Sequence, residues 1–109
     1  MTKTELVNLL TELNVPVNEG TPEDREMDVP FRICFFEYNW ESNTASGKEF
    51  NTIVTYQISI ISDKPRHPKL VELKHKLNDI GLFPQIIIEH NIEKRRIHAF
   101  FSLEVLENI

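Results

Sequence analysis

The run Thr52-Ile-Val-Thr-Tyr-Gln-Ile-Ser-Ile-Ile61 alternates Val54, Tyr56, Ile58 and Ile60 with Thr55, Gln57 and Ser59. A period of two cannot be wrapped into a helix without scattering those apolar residues around its circumference. Ile53 and Ile61 break the polar side, so this strand has one buried face and a second that is partly wet or touches another chain. The segment Asp63-Lys-Pro-Arg-His-Pro68 ends it. Pro68 suits a first helical turn, where its missing N–H would have no partner. Leu70, Leu73, Leu77 and Ile80 then form a core stripe, and Gly81 stands where a left-handed C-cap belongs. Lys69, Lys74, His75, Lys76 and Asp79 make the outer face of this helix mainly basic. Two further strands, Pro84–His90 and Arg95–Leu106, turn around Asn91-Ile-Glu-Lys94. Ile97, Ala99, Phe101, Leu103 and Val105 line one face of the last.

The first half supplies a helix and a strand. Thr2 and Glu5 have capping-box spacing, and Leu6, Leu9, Leu10 and Leu13 make one leucine stripe before Asn14-Val-Pro16 ends the helix. Residues 16–30 read as a long loop holding Glu19, Glu23, Asp24, Glu26 and Asp28. Phe31–Tyr38 is apolar on both alternating faces, which predicts a central strand covered on both sides. Asn39–Asn51 reads as a polar hairpin tip around Ser42-Asn-Thr-Ala-Ser-Gly47, flanked by Trp40 and Phe50. The expected fold is α+β: two helices packed on a mostly antiparallel sheet in the order α-β-β-α-β-β. Residues 1–109 form a single domain with long polar loops at 16–30 and 39–51.

Charge and composition remove whole classes of function. With hydrophobic residues at 40% and charged residues at 27%, the chain reads as globular. A net charge of −5 argues against a protein whose main task is neutralising phosphates. The first residues lack the apolar run of a signal peptide, and no segment is apolar for the roughly 20 residues a membrane span needs. A soluble protein made in a cytoplasm is expected. The lone cysteine, Cys34, sits in an apolar run and reads as a small buried thiol.

The side chains that could carry chemistry do not fall into chemical spacings. His67, His75, His90 and His98 have no close ligand partner, so no metal site is expected. His67 is placed to help cap the second helix, and His90 and His98 could approach across the last hairpin. No Gly-rich phosphate loop or nucleophile motif is present, the acids lie mainly in the 16–30 loop, and neither catalysis nor a cofactor is expected.

A strand such as Tyr56-Gln-Ile-Ser-Ile-Ile-Ser62, a Pro-Arg-His-Pro break, a short helix and a hairpin ending in His98-Ala-Phe-Phe-Ser102 together resemble a known family. It is that of the tail-terminator or tail-completion proteins of long non-contractile-tailed phages and prophages of Gram-positive bacteria. The resemblance covers roughly residues 3–107 and is best from Thr52 onward. It implies a homo-oligomeric ring, usually hexameric, that caps the tail tube and offers a docking face to the head connector. The partners it implies are the tail-tube protein and the head connector protein, with DNA passing through the ring and no membrane. The implied location is the virion tail, assembled in the host cytoplasm. The alternative is a small monomeric or dimeric adaptor or regulatory module without catalysis.

Charge is distributed in keeping with assembly. Residues 1–49 hold ten acids and four bases, and residues 50–109 hold seven acids and eight bases, so the halves carry −6 and +1. A subunit with unlike faces can associate head to tail, and a closing rotation then makes a ring. The expected contact sets the acidic loop at Glu23 and Asp24 against a basic surface from Lys64–Lys76 or from Lys94, Arg95 and Arg96. Trp40 and Phe50 are the expected anchors of a tip that orders on meeting a partner.

Overall fold

A computed structural model describes residues 1–20, 30–45 and 48–109, and the side chains of all of these except 43, 45 and 48–50. The elements are α1 (Lys3–Thr11), β1 (Val17–Glu19), β2 (Phe31–Ala45), β3 (Lys48–Ser62), α2 (Pro68–Asp79), β4 (Ile87–Asn91) and β5 (Arg96–Glu107). The order α-β-β-β-α-β-β contains one strand more than expected. Val17–Glu19, read from sequence as loop, pairs in parallel with Ile33–Phe35. Three residues are too few to display a period, so their strand character comes from the partner's ladder. The sheet order is β1-β2-β3-β5-β4, and every pairing other than β1–β2 is antiparallel.

The central strand is β3. Its inward row meets β2 as Ile33↔Ile60 and Phe35↔Ile58, and meets β5 as Ile60↔Ala99, Ile58↔Phe101, Tyr56↔Leu103 and Val54↔Val105. These residues form one apolar cluster with Leu6, Leu10 and Leu13 of the first helical stripe and Leu70, Leu73 and Leu77 of the second. Both helices therefore cover the same face of the sheet. Leu9 is only partly buried, and Ile80, expected in the stripe, is 54% exposed as the C-cap of α2. The other face of β2 is not covered by a helix among the described residues. Cys34 on that face is nonetheless fully buried, and its thiol donates to Asn18 Oδ1 at 3.3 Å.

The helix ends follow their sequence signals. Thr2 Oγ1 accepts the Glu5 amide N–H at 3.2 Å, and His67 Nδ1 accepts the Lys69 amide N–H at 3.1 Å. At the end of α2 the Leu82 N–H donates to the Leu77 carbonyl and the Gly81 N–H to the Asn78 carbonyl. That is a Schellman cap, with Gly81 at φ 81°. At the start of the chain, Met1 O accepts the Leu106 N–H at 3.0 Å, which ties the entry of α1 to β5.

The segment Asn39–Asn51, expected to be a loop, is strand for most of its length. Pairs run from Asn39↔Thr55 through Trp40↔Val54 and Ser42↔Thr52 to Ala45↔Lys48. The polar residues predicted a turn, but backbone pairing with the opposite strand satisfies their amides without any need for apolar side chains. β3 reaches β5 only from Thr52 onward, so 43–45 and 48–51 continue past the sheet as a two-stranded arm. A 15-residue strand spans about 50 Å at about 3.4 Å per residue, which accounts for the 52 Å longest dimension against 29 and 22 Å for the others. The radius of gyration, 15.1 Å, accordingly exceeds the roughly 13 Å of a rounded domain of this length.

Two stability changes test these assignments. Leu73→Ala in the closed core should cost about 2–5 kcal/mol in urea unfolding, and a loss below about 0.5 kcal/mol would place Leu73 at the surface. A Cβ built at Gly81 meets nothing within 4 Å, so the cost of Gly81→Ala is conformational alone. It should be about 1 kcal/mol, and a neutral result would contradict the left-handed cap.

Candidate interaction surfaces

The sequence-expected contact residues fall at different places. Glu23 and Asp24 lie outside the described residues. Phe50 lies in β3, in the register shift between Asn43↔Asn51 and Thr44↔Glu49, and its side chain is outside the described set. Trp40 is on β2, 58% exposed, and its indole N–H donates to Glu37 Oε2 at 2.7 Å. Lys94 and Arg95 stand in the β4–β5 turn, and Arg96 opens β5 opposite Asn91. The Lys94 N–H donates to Asn91 Oδ1 at 3.1 Å and Arg95 takes φ 53°, so the turn is held by an Asn side chain and a left-handed residue. Trp40 is level with Val54 of β3, whereas Arg96 lies just past the level of Ser62. About eight residues of strand, on the order of 26 Å, separate them. The structure therefore sets these two candidates at opposite ends of the sheet.

A register shift between Glu37 and Asn39 leaves Tyr38 as the extra residue of β2. Trp40, directly opposite Val54, thereby falls on the helix side of the sheet, as does Glu37 opposite Tyr56. Tyr38 lies on the other side, its hydroxyl 3.2 Å from Ser102 Oγ. Alternation alone places Tyr38 and Trp40 on one face, and nothing in the residue types marks the extra residue.

Near this end of the sheet the Tyr56 hydroxyl donates to Glu107 Oε2 at 3.0 Å, and Lys3 Nζ lies 5.8 Å from the Tyr56 ring centre and 3.0 Å from Glu19 Oε1. Burial, reinforced by Glu107, pushes the Tyr56 phenol up to about 12. It remains a protonated donor that ties β3 to the end of β5. The Lys3–Glu19 pair is half exposed and contributes at most about 1 kcal/mol.

At the opposite edge, Arg66, Leu70, Val71, Lys74, Pro84, Ile86 and Ile88 line an open groove between α2 and β4, two bases and no acid among them. All five residues of β4 are exposed. Beside it, Phe83 is 75% exposed and Ile92 in the turn 87%. Sequence reading missed this groove because it placed Ile86 and Ile88 in a hairpin strand without its position in the sheet, and period two does not distinguish a central strand from an edge.

The histidines are dispersed. His90 pairs with Ile97 and His98 with Glu89, which sends the two to opposite faces rather than toward each other. Among the described residues no three of His, Cys, Asp and Glu converge as a metal site. No helix of the described residues is long and apolar enough to cross a membrane. No protein-family model matches the chain, and no curated protein matches it. Among solved structures it is similar to the sheath/tube terminator of an extracellular contractile injection system in its extended state. The TM-score is 0.40 with 10% sequence identity, covering 100% of this chain and 58% of that one. The chain thus spans a little over half the length of that terminator.

Burial holds His67 and His98 below the ordinary imidazole value, although Glu89 opposes the shift at His98. A depressed folded value means that the unfolded chain binds the proton more readily. Stability is then fully present above the ordinary value of 6.5 and is lost as pH falls through the lower folded values. His67 also loses its capping acceptor when protonated. The melting temperature should therefore drop as pH is lowered below about 6.5, and His67→Asn, which keeps a cap oxygen without a titrating ring, should flatten that drop. An unchanged pH profile in the variant would remove His67 from the account.

Proposed function

We propose that this chain is a structural virion protein that caps a phage tail tube as a homomeric ring, hexameric in the assembled tail, and joins the tube to the head connector. The observation that carries this reading is a subunit with two unlike ends. One end is a hairpin arm with Trp40 at its root and an acidic strand edge. The other is a basic turn beside an apolar, base-rimmed groove. Such a subunit suits a head-to-tail contact, which closes into a ring when the rotation permits. The sequence resemblance to tail terminators from Thr52 onward supports the same role. Catalysis and a cofactor have no part in it, and the protein is one folded unit placed in the tail of the particle.

In this reading the arm meets a neighbouring subunit or the tail-tube protein. The turn at Lys94, Arg95 and Arg96 faces an acidic partner surface or the DNA that passes through the ring. Charges at such a rim govern encounter and orientation more than affinity. Replacing all three with Glu should abolish tail completion in an infected host while leaving circular dichroism unchanged and unfolding free energy within about 0.5 kcal/mol. Normal tails from the triple variant would reduce the turn to solvated surface. A wild-type chain that is absent from purified tails would favour the adaptor reading instead.

A further inference from the structure

Two strand edges of the sheet are open among the described residues. Among the described residues β1 covers β2 at Ile33–Phe35, and no described strand pairs with β2 on that side from Phe36 onward. Among them β4 pairs with β5 alone. Open edges present rows of unpaired backbone donors and acceptors and accept further strands. Along the open part of β2 the charged residues up to Ala45 are Glu37 and Glu41, with no base. Beside β4 the groove carries Arg66 and Lys74, with no acid.

We infer that the open edge of β2 adds to β4 of a second copy of this chain, seating Trp40 in the α2–β4 groove. This rests on the ring reading and specifies its subunit contact. In a sheet continued from one copy to the next with the helix faces on one side, the groove and the pair Glu37 and Trp40 face the same way. The indole then meets Val71, Ile86 and Ile88, and the Glu37 carboxylate comes to the bases at the rim. Exposed tryptophans that fill a partner's apolar pocket commonly dominate such contacts. Charge also selects the pairing. On the helix side, two β4 edges brought together would oppose Arg66 and Lys74 to themselves, and two β2 edges would oppose Glu37 to itself. On that face the unlike pair is complementary, and it is heterologous, as a ring requires.

The test is self-association by sedimentation, with incorporation into tails in an infected host as a second readout. Trp40→Ala should weaken association roughly tenfold or more. Glu37→Lys, and separately Arg66→Glu with Lys74→Glu, should each weaken it, and the three changes together should restore it. All four side chains are at the surface or the groove rim, and circular dichroism checks that each variant folds. If wild type associates but Trp40→Ala matches it, or the threefold variant is no better than its parts, this contact is wrong and the ring reading survives. Variants that self-associate normally yet fail to enter tails would assign the groove to the tail-tube protein and overturn the contact between copies. If the wild type is monomeric in solution but enters tails, incorporation of the same variants decides by the same pattern. If it does neither, both readings fall.

Discussion

With β2 hydrogen-bonded to one side of β3 and β5 to the other, the inward row Val54, Tyr56, Ile58 and Ile60 is closed laterally by strands and from above by two helices. All four are at most 1% exposed. Each helix alone has a leucine stripe too narrow to hold a fold, and each strand alone has unpaired amides. β3 resolves both, since it fixes the register of its neighbours and supplies the apolar surface on which Leu6, Leu10, Leu73 and Leu77 close. A one-residue slip of this strand would turn Thr55, Gln57 and Ser59 inward under the helices and expose the isoleucines.

That dependence explains what could be read from the sequence. The period-two run at Thr52–Ile61, the two leucine stripes and the glycine cap at Gly81 are local signals with strong physical consequences, and each sits where its pattern put it. The two helices and the mostly antiparallel sheet followed. Strand β1 did not, because three residues carry no period and are recruited by β2. The hairpin tip at Asn39–Asn51 was misread for a related reason. Ser, Asn and Thr favour turns when isolated, but a long ladder opposite a strong strand carries them in extended form.

The candidate surfaces were less legible than the fold. Trp40 and the basic turn stood out as unusual residues in polar settings, so the sequence marked them. The groove between α2 and β4 did not stand out. Whether Ile86 and Ile88 line a core or an edge depends on strand order, and strand order is decided by the crossover of α2 past β5, a long-range event with no local signature. The pairing of Glu37 with the Trp40 indole was equally hidden, since three residues apart is a helical neighbour distance and becomes a contact here only through the register shift.

That shift at Tyr38 makes chain length, rather than residue type, decide which surface each aromatic ring serves. Two aromatics separated by one residue ordinarily share a face, and the added residue assigns one to each. Deleting Tyr38 would leave Asn39 opposite Thr55 and Trp40 opposite Val54, removing the ring beside Ser102 while the helix-side surface stayed in phase. Descent in such chains could then proceed by gaps at this point, with one surface gained or lost at a single step while the other is inherited intact. Comparisons that score substitutions and treat gaps as noise would overlook it.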